Sequence, residues 1–143
     1  MKRKIKVILQ QGEIDCGPAC IASILKYYGK HVSISRIRSL AGTDSLGTTG
    51  YGMISCLKKF GFVSKVLTLK TSEDVSNLMI FPYIACVNAE GNHHHYVVIY
   101  GMRKDKLIIG DPAKGIKKMG LSSYMTIFTG KVLIMRKDDN KFN

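Results

Sequence analysis

No apolar run in this 143-residue chain approaches the roughly 18–20 residues that a membrane-spanning helix needs. Lys26, Lys58, Lys70 and Lys106 interrupt every candidate. The first nine residues have a basic end but only three consecutive apolar side chains before Gln10, too few for a secretory signal. Neither Gly-Lys-Ser nor Gly-Lys-Thr occurs, which removes the phosphate loop of nucleotide-hydrolysing domains. Zinc-finger spacings of Cys and His are missing, and so is the interleaving of aromatic and basic residues that marks an RNA-binding surface. Internal repeats and low-complexity segments are also absent. These absences lead us to expect a soluble intracellular chain with no nucleic-acid partner.

Acidic residues are scarce, 10 against 22 basic ones, and the net charge is +12. An excess of this size suits nucleic acid, an anionic membrane surface or an acidic peptide. Apart from Lys2-Arg3-Lys4 and the pairs Lys58-Lys59 and Lys117-Lys118, the cations are scattered, and the simplest reading is solvated surface. Cysteine is limited to four residues, expected as free thiols in a cytosolic chain. Cys20, Cys56 and Cys86 stand in apolar runs and read as small core side chains. Cys16 differs, because Asp15 and Gly17 flank it.

What is present is enough for one domain with a real core: hydrophobic residues make up 45% of the chain. The stretch from Gln10 through Asp15-Cys16-Gly17-Pro18-Ala19-Cys20 runs straight into Ile21-Ala22-Ser23-Ile24-Leu25. This pattern puts Cys16 at the mouth of a helix, near unpaired N–H groups and the positive end of the macrodipole. Both favour the thiolate, which is the nucleophile. Gln10, six residues upstream, can offer a side-chain N–H to an oxyanion.

Apolar spacing predicts helices over 16–28, over a short stretch to Leu40 capped by Ser33 or Ser35, and over 50–60. A polar loop through residues 42–48 separates the last two. Strands are predicted over 62–69, 82–87, 95–100, 106–110 and 132–135, with short helices near 71–78 and 122–128, the latter closed by Gly130. Residues 88–92 supply turn chemistry. Helices first and antiparallel strands after make an α+β fold.

His93, His94 and His95 open a strand, so His93 and His95 share a face. Asp111 lies sixteen residues beyond His95, at the end of the next strand. If those strands pair through a turn at residues 101–105, His95 and Asp111 come side by side. A carboxylate then holds the imidazole in one tautomer while its other nitrogen faces a thiol.

Gln10, Asp15-Cys16-Gly17-Pro18-Ala19-Cys20, His95-Tyr96-Val97-Val98 and Asp111-Pro112 resemble the cysteine-peptidase domain of bacteriocin-processing ABC exporters. The likeness covers essentially the whole chain and includes Gly47-Thr48-Thr49 and Pro112-Ala113-Lys114-Gly115. It implies a papain-like fold, N-terminal helices on an antiparallel sheet, with residues 1–143 as one peptidase domain at the start of a longer exporter. It further implies Cys16 as nucleophile, His95 as general base and acid, Asp111 as orienting acid and Gln10 as oxyanion donor. The substrate implied is a bacteriocin, lanthipeptide or signalling-peptide precursor, whose amphipathic helical leader is cut after Gly-Gly at the cytoplasmic face of a bacterial membrane. Transmembrane and nucleotide-binding domains are the implied partners; ATP serves them, and peptide cleavage itself takes no cofactor. The histidine stands in a triplet, and Gln11 adjoins Gln10. Two other readings fit the same residues: a zinc-dependent hydrolase using His93 and His95 with a thiolate, and a catalytically silent leader-docking module of an exporter.

Overall fold

A computed structural model describes residues 4–89 and 93–138. Helix α1 (Cys16–Tyr27) is buried from Gly17 through Leu25, because Ala19, Cys20, Ala22 and Ser23 fill the positions between the larger Ile21, Ile24 and Leu25. A helix apolar all round is a central one, and the single apolar face read from the larger side chains is only part of what it buries. α2 (Ile34–Ala41) starts at Ser33, whose hydroxyl accepts from the Arg36 N–H, and stops at Gly42 in the left-handed region. α3 (Gly50–Lys59) starts the same way, with the Thr49 hydroxyl accepting from the Gly52 N–H.

After α3 come β1 (Phe62–Thr68), α4 (Ser72–Asn77), β2 (Tyr83–Ala89), β3 (His93–Arg103), β4 (Lys106–Asp111), β5 (Gly115–Gly120), α5 (Leu121–Ile127) and β6 (Phe128–Lys137). The strands form one sheet in the order β1-β6-β2-β3-β4-β5, antiparallel at every pairing. One face carries α1, α2 and α3 over Ile84, Val98, Tyr100 and Leu133. The other carries α4 and α5 over Tyr83, Ala85, Val97, Ile99 and Val132. This is the expected α+β arrangement of helices on an antiparallel sheet.

The structure departs from the sequence reading in three places. β5 was not anticipated: it is an edge strand in which Ile116 is exposed, so its apolar residues do not mark a buried face. β6 begins at Phe128, and Gly130 lies inside it at φ 98°, its carbonyl accepting from the Leu69 N–H, so this glycine bends a strand and does not close a helix. β3 runs on to Arg103 and turns through Lys104 and Asp105, both at positive φ, as a two-residue hairpin requires. The turn expected over 88–92 falls partly on residues 90–92, outside the described residues. Cys20, Cys56 and Cys86 are buried and free, as expected.

The extended segment before α1 is strapped down by the Ile8 N–H donating to Ser23 Oγ (2.8 Å), the Tyr100 hydroxyl donating to the Lys6 carbonyl (3.2 Å) and the Gln10 N–H donating to the Pro112 carbonyl (2.8 Å). α2 meets α3 so closely that a Cβ on Gly52 would overlap the Ala41 carbonyl oxygen, a backbone atom that cannot rotate away. Gly52→Ala should therefore cost about 1–3 kcal/mol of stability, read as a lower denaturation midpoint. An unchanged midpoint would show that the two helices separate freely.

Candidate active site

Three elements bring the site together. α1 begins at Cys16, β3 opens with His93 to His95, and β4 ends at Asp111. In the β3–β4 ladder Val98 faces Gly110, so Asp111 comes level with Val97, and His95 lies two residues along the same face. His95 Nε2 and Asp111 Oδ1 are 2.8 Å apart. With Nε2 so engaged, Nδ1 is the ring nitrogen left for the Cys16 thiol, to which His95 is hydrogen-bonded. Cys16, His95 and Asp111 thus form one line of contacts.

The electrostatics follow the geometry. Burial alone would raise the Cys16 thiol, but hydrogen bonds from His95 and from the Tyr96 and Gly17 N–H groups, with the charge on His95, bring it below its ordinary value. Burial alone would lower His95; its hydrogen bonds to Asp111 and Cys16 outweigh that and raise it to about 9. Burial would raise Asp111, yet the bond to His95, the Ala113 N–H (2.9 Å) and Lys117 Nζ (3.3 Å) pull it down to about 2. A thiolate beside an imidazolium is the state these surroundings favour. By contrast, burial pushes the Cys20 thiol, one turn along α1, well up.

Gln10 is fixed at the same corner by its backbone bond to Pro112, the residue after Asp111. Its side-chain Nε2 donates to the Gly12 carbonyl at 2.9 Å and not to any group on Cys16. One such bond leaves the second N–H of the amide for another acceptor. His93 and His94 are exposed, and of the triplet only His95 reaches a carboxylate. Among the described residues no three His, Cys, Asp or Glu side chains converge as a metal cluster would require.

Three contributors had no site role in the sequence reading. Arg38 on α2 grips the carboxylate of Asp15, the residue before Cys16, with Nε–Oδ1 at 3.0 Å and Nη2–Oδ2 at 2.7 Å. Lys117 on β5 holds Asp111. Thr48 packs on Gly17, where a Cβ would stand 3.1 Å from its own Cβ. Asp15 was visible as a polar neighbour of the thiol, but nothing local could name partners so far along the chain. Beyond the site, an apolar groove of about 440 Å³ runs between α3 and the sheet, lined by Met53, Val66, Ile84, Cys86, Tyr96 and Leu133. It starts at Tyr96, the residue after His95. No helix among the described residues is long and apolar enough to cross a membrane.

The family model for the peptidase C39 family matches residues 4–140. The lactococcin-G-processing and transport ATP-binding protein LagD of Lactococcus lactis subsp. lactis is 39% identical over 128 residues, covering 90% of this chain and 18% of LagD. The chain therefore spans less than a fifth of that relative's length. Among solved structures, the peptidase domain of Streptococcus ComA, a bifunctional ABC transporter of a quorum-sensing pathway, matches with a TM-score of 0.84 at 33% identity, covering 94% of this chain and 99% of that one. A double-glycine motif protease from an AMS/PCAT transporter, solved in complex with the leader peptide, matches with a TM-score of 0.85 at 29% identity, over 95% and 94% of the two chains. With its helices on an antiparallel sheet in a papain-like fold, the chain belongs to the peptidase C39 family.

Proposed function

We propose that this chain is the cysteine endopeptidase domain of an exporter, and that it removes leaders from bacteriocin, lanthipeptide or signalling-peptide precursors by cutting after Gly-Gly. The observation that carries this reading is the Cys16 thiol at a helix mouth, held against an imidazole that is itself held by a buried carboxylate. Cys16 Sγ attacks the scissile carbonyl, and the oxyanion is taken by the free N–H of the Gln10 amide and the N–H of Cys16. His95 gives its proton to the leaving amine, and the acyl group remains on sulfur as a thioester. His95 then takes a proton from water, whose oxygen displaces the thiolate and releases the leader. Asp111 keeps the ring in place and stabilises its cationic form. These steps draw only on this chain's own groups and water.

Two glycines offer little surface, so affinity must come from upstream of the cut. The groove beside Tyr96 suits the apolar face of an amphipathic leader helix. The +12 charge would steer acidic residues on the leader's outer face over about 8 Å at physiological salt. The share of LagD that this chain matches supports a place beside membrane and ATP-hydrolysing parts, at the cytoplasmic face of the membrane. No nucleic-acid partner is proposed.

Incubation with a precursor bearing a double-glycine leader, followed by mass spectrometry, should show one cut, directly after the second glycine. Cys16→Ala and His95→Ala should abolish it with the fold intact, while His93→Ala and His94→Ala stay within a few-fold. A dead His93→Ala would bring back the metal reading, and an active Cys16→Ala would remove the proposed nucleophile.

The pH profile follows from the shifted groups. Activity should rise as Cys16 ionises, below the ordinary thiol value, and fall as His95 loses its proton near pH 9. Because Asp111 holds the His95 proton, Asp111→Asn should move the alkaline limb down, toward the ordinary imidazole value of 6.5. An alkaline limb that stays in place would mean that Asp111 does not act through His95.

A further inference from the structure

Asp15 presents an anomaly. It occupies the N-cap position of α1, and its carbonyl accepts the first helical bond, from the Ala19 N–H at 2.9 Å. Aspartate is among the best capping residues, since its side chain takes the N–H of the second or third helical residue. Yet this carboxylate caps nothing. Its backbone sits at φ −96°, ψ 8° and not in the extended region that capping uses. The side chain is 2% exposed, and both of its oxygens go to the Arg38 guanidinium.

The third helical residue is Pro18, which has no N–H. The only donor a capping Asp15 could take is therefore the Gly17 N–H. That same N–H belongs to the residue next to Cys16 and is one of the donors that help bring its thiol below the ordinary value. Carboxylate and thiolate compete for one donor, and a capping Asp15 would also set a second negative charge beside the sulfur. We propose that Arg38 is a positioning residue for the nucleophile: by taking both Asp15 oxygens it keeps that carboxylate from capping α1 and leaves the Gly17 N–H to Cys16. Arg38 is well placed to hold still, because its helix neighbour Ile37 is wholly buried and its own carbonyl accepts from the Thr43 N–H at 3.0 Å. The guanidinium fork matters, since a single-point cation would free one oxygen.

The other groups around the thiol stay constant in the test. They are His95 and Tyr96 from β3, Cys86 from β2, Cys20 from α1 itself, and Asp111 with Lys117 behind His95. The inference rests on Cys16 as the nucleophile, but alkylation reads the thiol whether or not any peptide is cut. The rate of Cys16 alkylation by iodoacetamide would be followed against pH by mass spectrometry of its peptide, with folding checked by circular dichroism. Arg38→Met should move the midpoint up by about one pH unit and cut the rate at pH 7 about tenfold. Asp15→Ala combined with Arg38→Met should bring the midpoint back toward wild type, because the competing carboxylate is gone. A pair that merely tied α1 to α2 would give no shift in the single variant, or no recovery in the double, and either result overturns the proposal. Should Arg38→Met fail to fold, Arg38→Lys decides: a smaller upward shift supports the proposal and an unmoved midpoint overturns it. A wild-type midpoint at the ordinary thiol value would instead count against Cys16 as the nucleophile.

Discussion

Charges of alternating sign, held largely out of water, are the constraint on which the site depends. Cys16, His95, Asp111 and Lys117 follow one another as thiolate, imidazolium, carboxylate and ammonium. Removing such groups from solvent costs several kcal/mol per ion, and only close partners of opposite sign with good hydrogen bonds offset it. Each member has such partners, and four secondary-structure elements supply the four groups. The fold's task is to bring a helix mouth, a strand start and a strand end to one point. A central helix buried all round and a hairpin of fixed register accomplish this.

The parts of this arrangement that were legible in the sequence are the local ones. A cysteine before an apolar helix, a period-2 strand opening with histidine, and an aspartate at the end of the next strand each carry their own signal. Sixteen residues with a turn between them suffice to predict the meeting of His95 and Asp111. Strand β5 was not legible, because Lys117 takes one of its half-buried positions while Ile116 faces solvent, so hydrophobicity does not follow burial along it. Gly130 misled for a related reason: a positive φ serves a bent strand as well as a helix end. Arg38 and Lys117 were invisible because each acts on a carboxylate contributed by a different element.

The same distinction separates the site's chemistry from its support. Cys16, His95 and Asp111 can be named from residue type and spacing. The Asp15–Arg38 pair and the contact of Thr48 on Gly17 exist only once α1, α2 and the loop before α3 have packed. Gln10 falls between the two. Its position in the sequence marked it, but what fixes it is a backbone bond to Pro112, about a hundred residues away. That bond ties the proposed oxyanion donor, Gln10, to the corner that carries Asp111.

The sheet order has a consequence for how the domain is born. β6, the last of the sheet's six strands in chain order, lies between β1 and β2, pairing Leu133 with Val66 on one side and with Ile84 on the other. Until it is made, β1 and the hairpins that follow it have no edge in common. Contacts of such long sequence separation form late, because loop closure must precede any gain from them. Cys16 precedes all six strands, yet the sheet that carries His95 and Asp111 is joined only by β6. The proposed nucleophile is thus made before the strand that closes its sheet, and the strand order itself sets that delay.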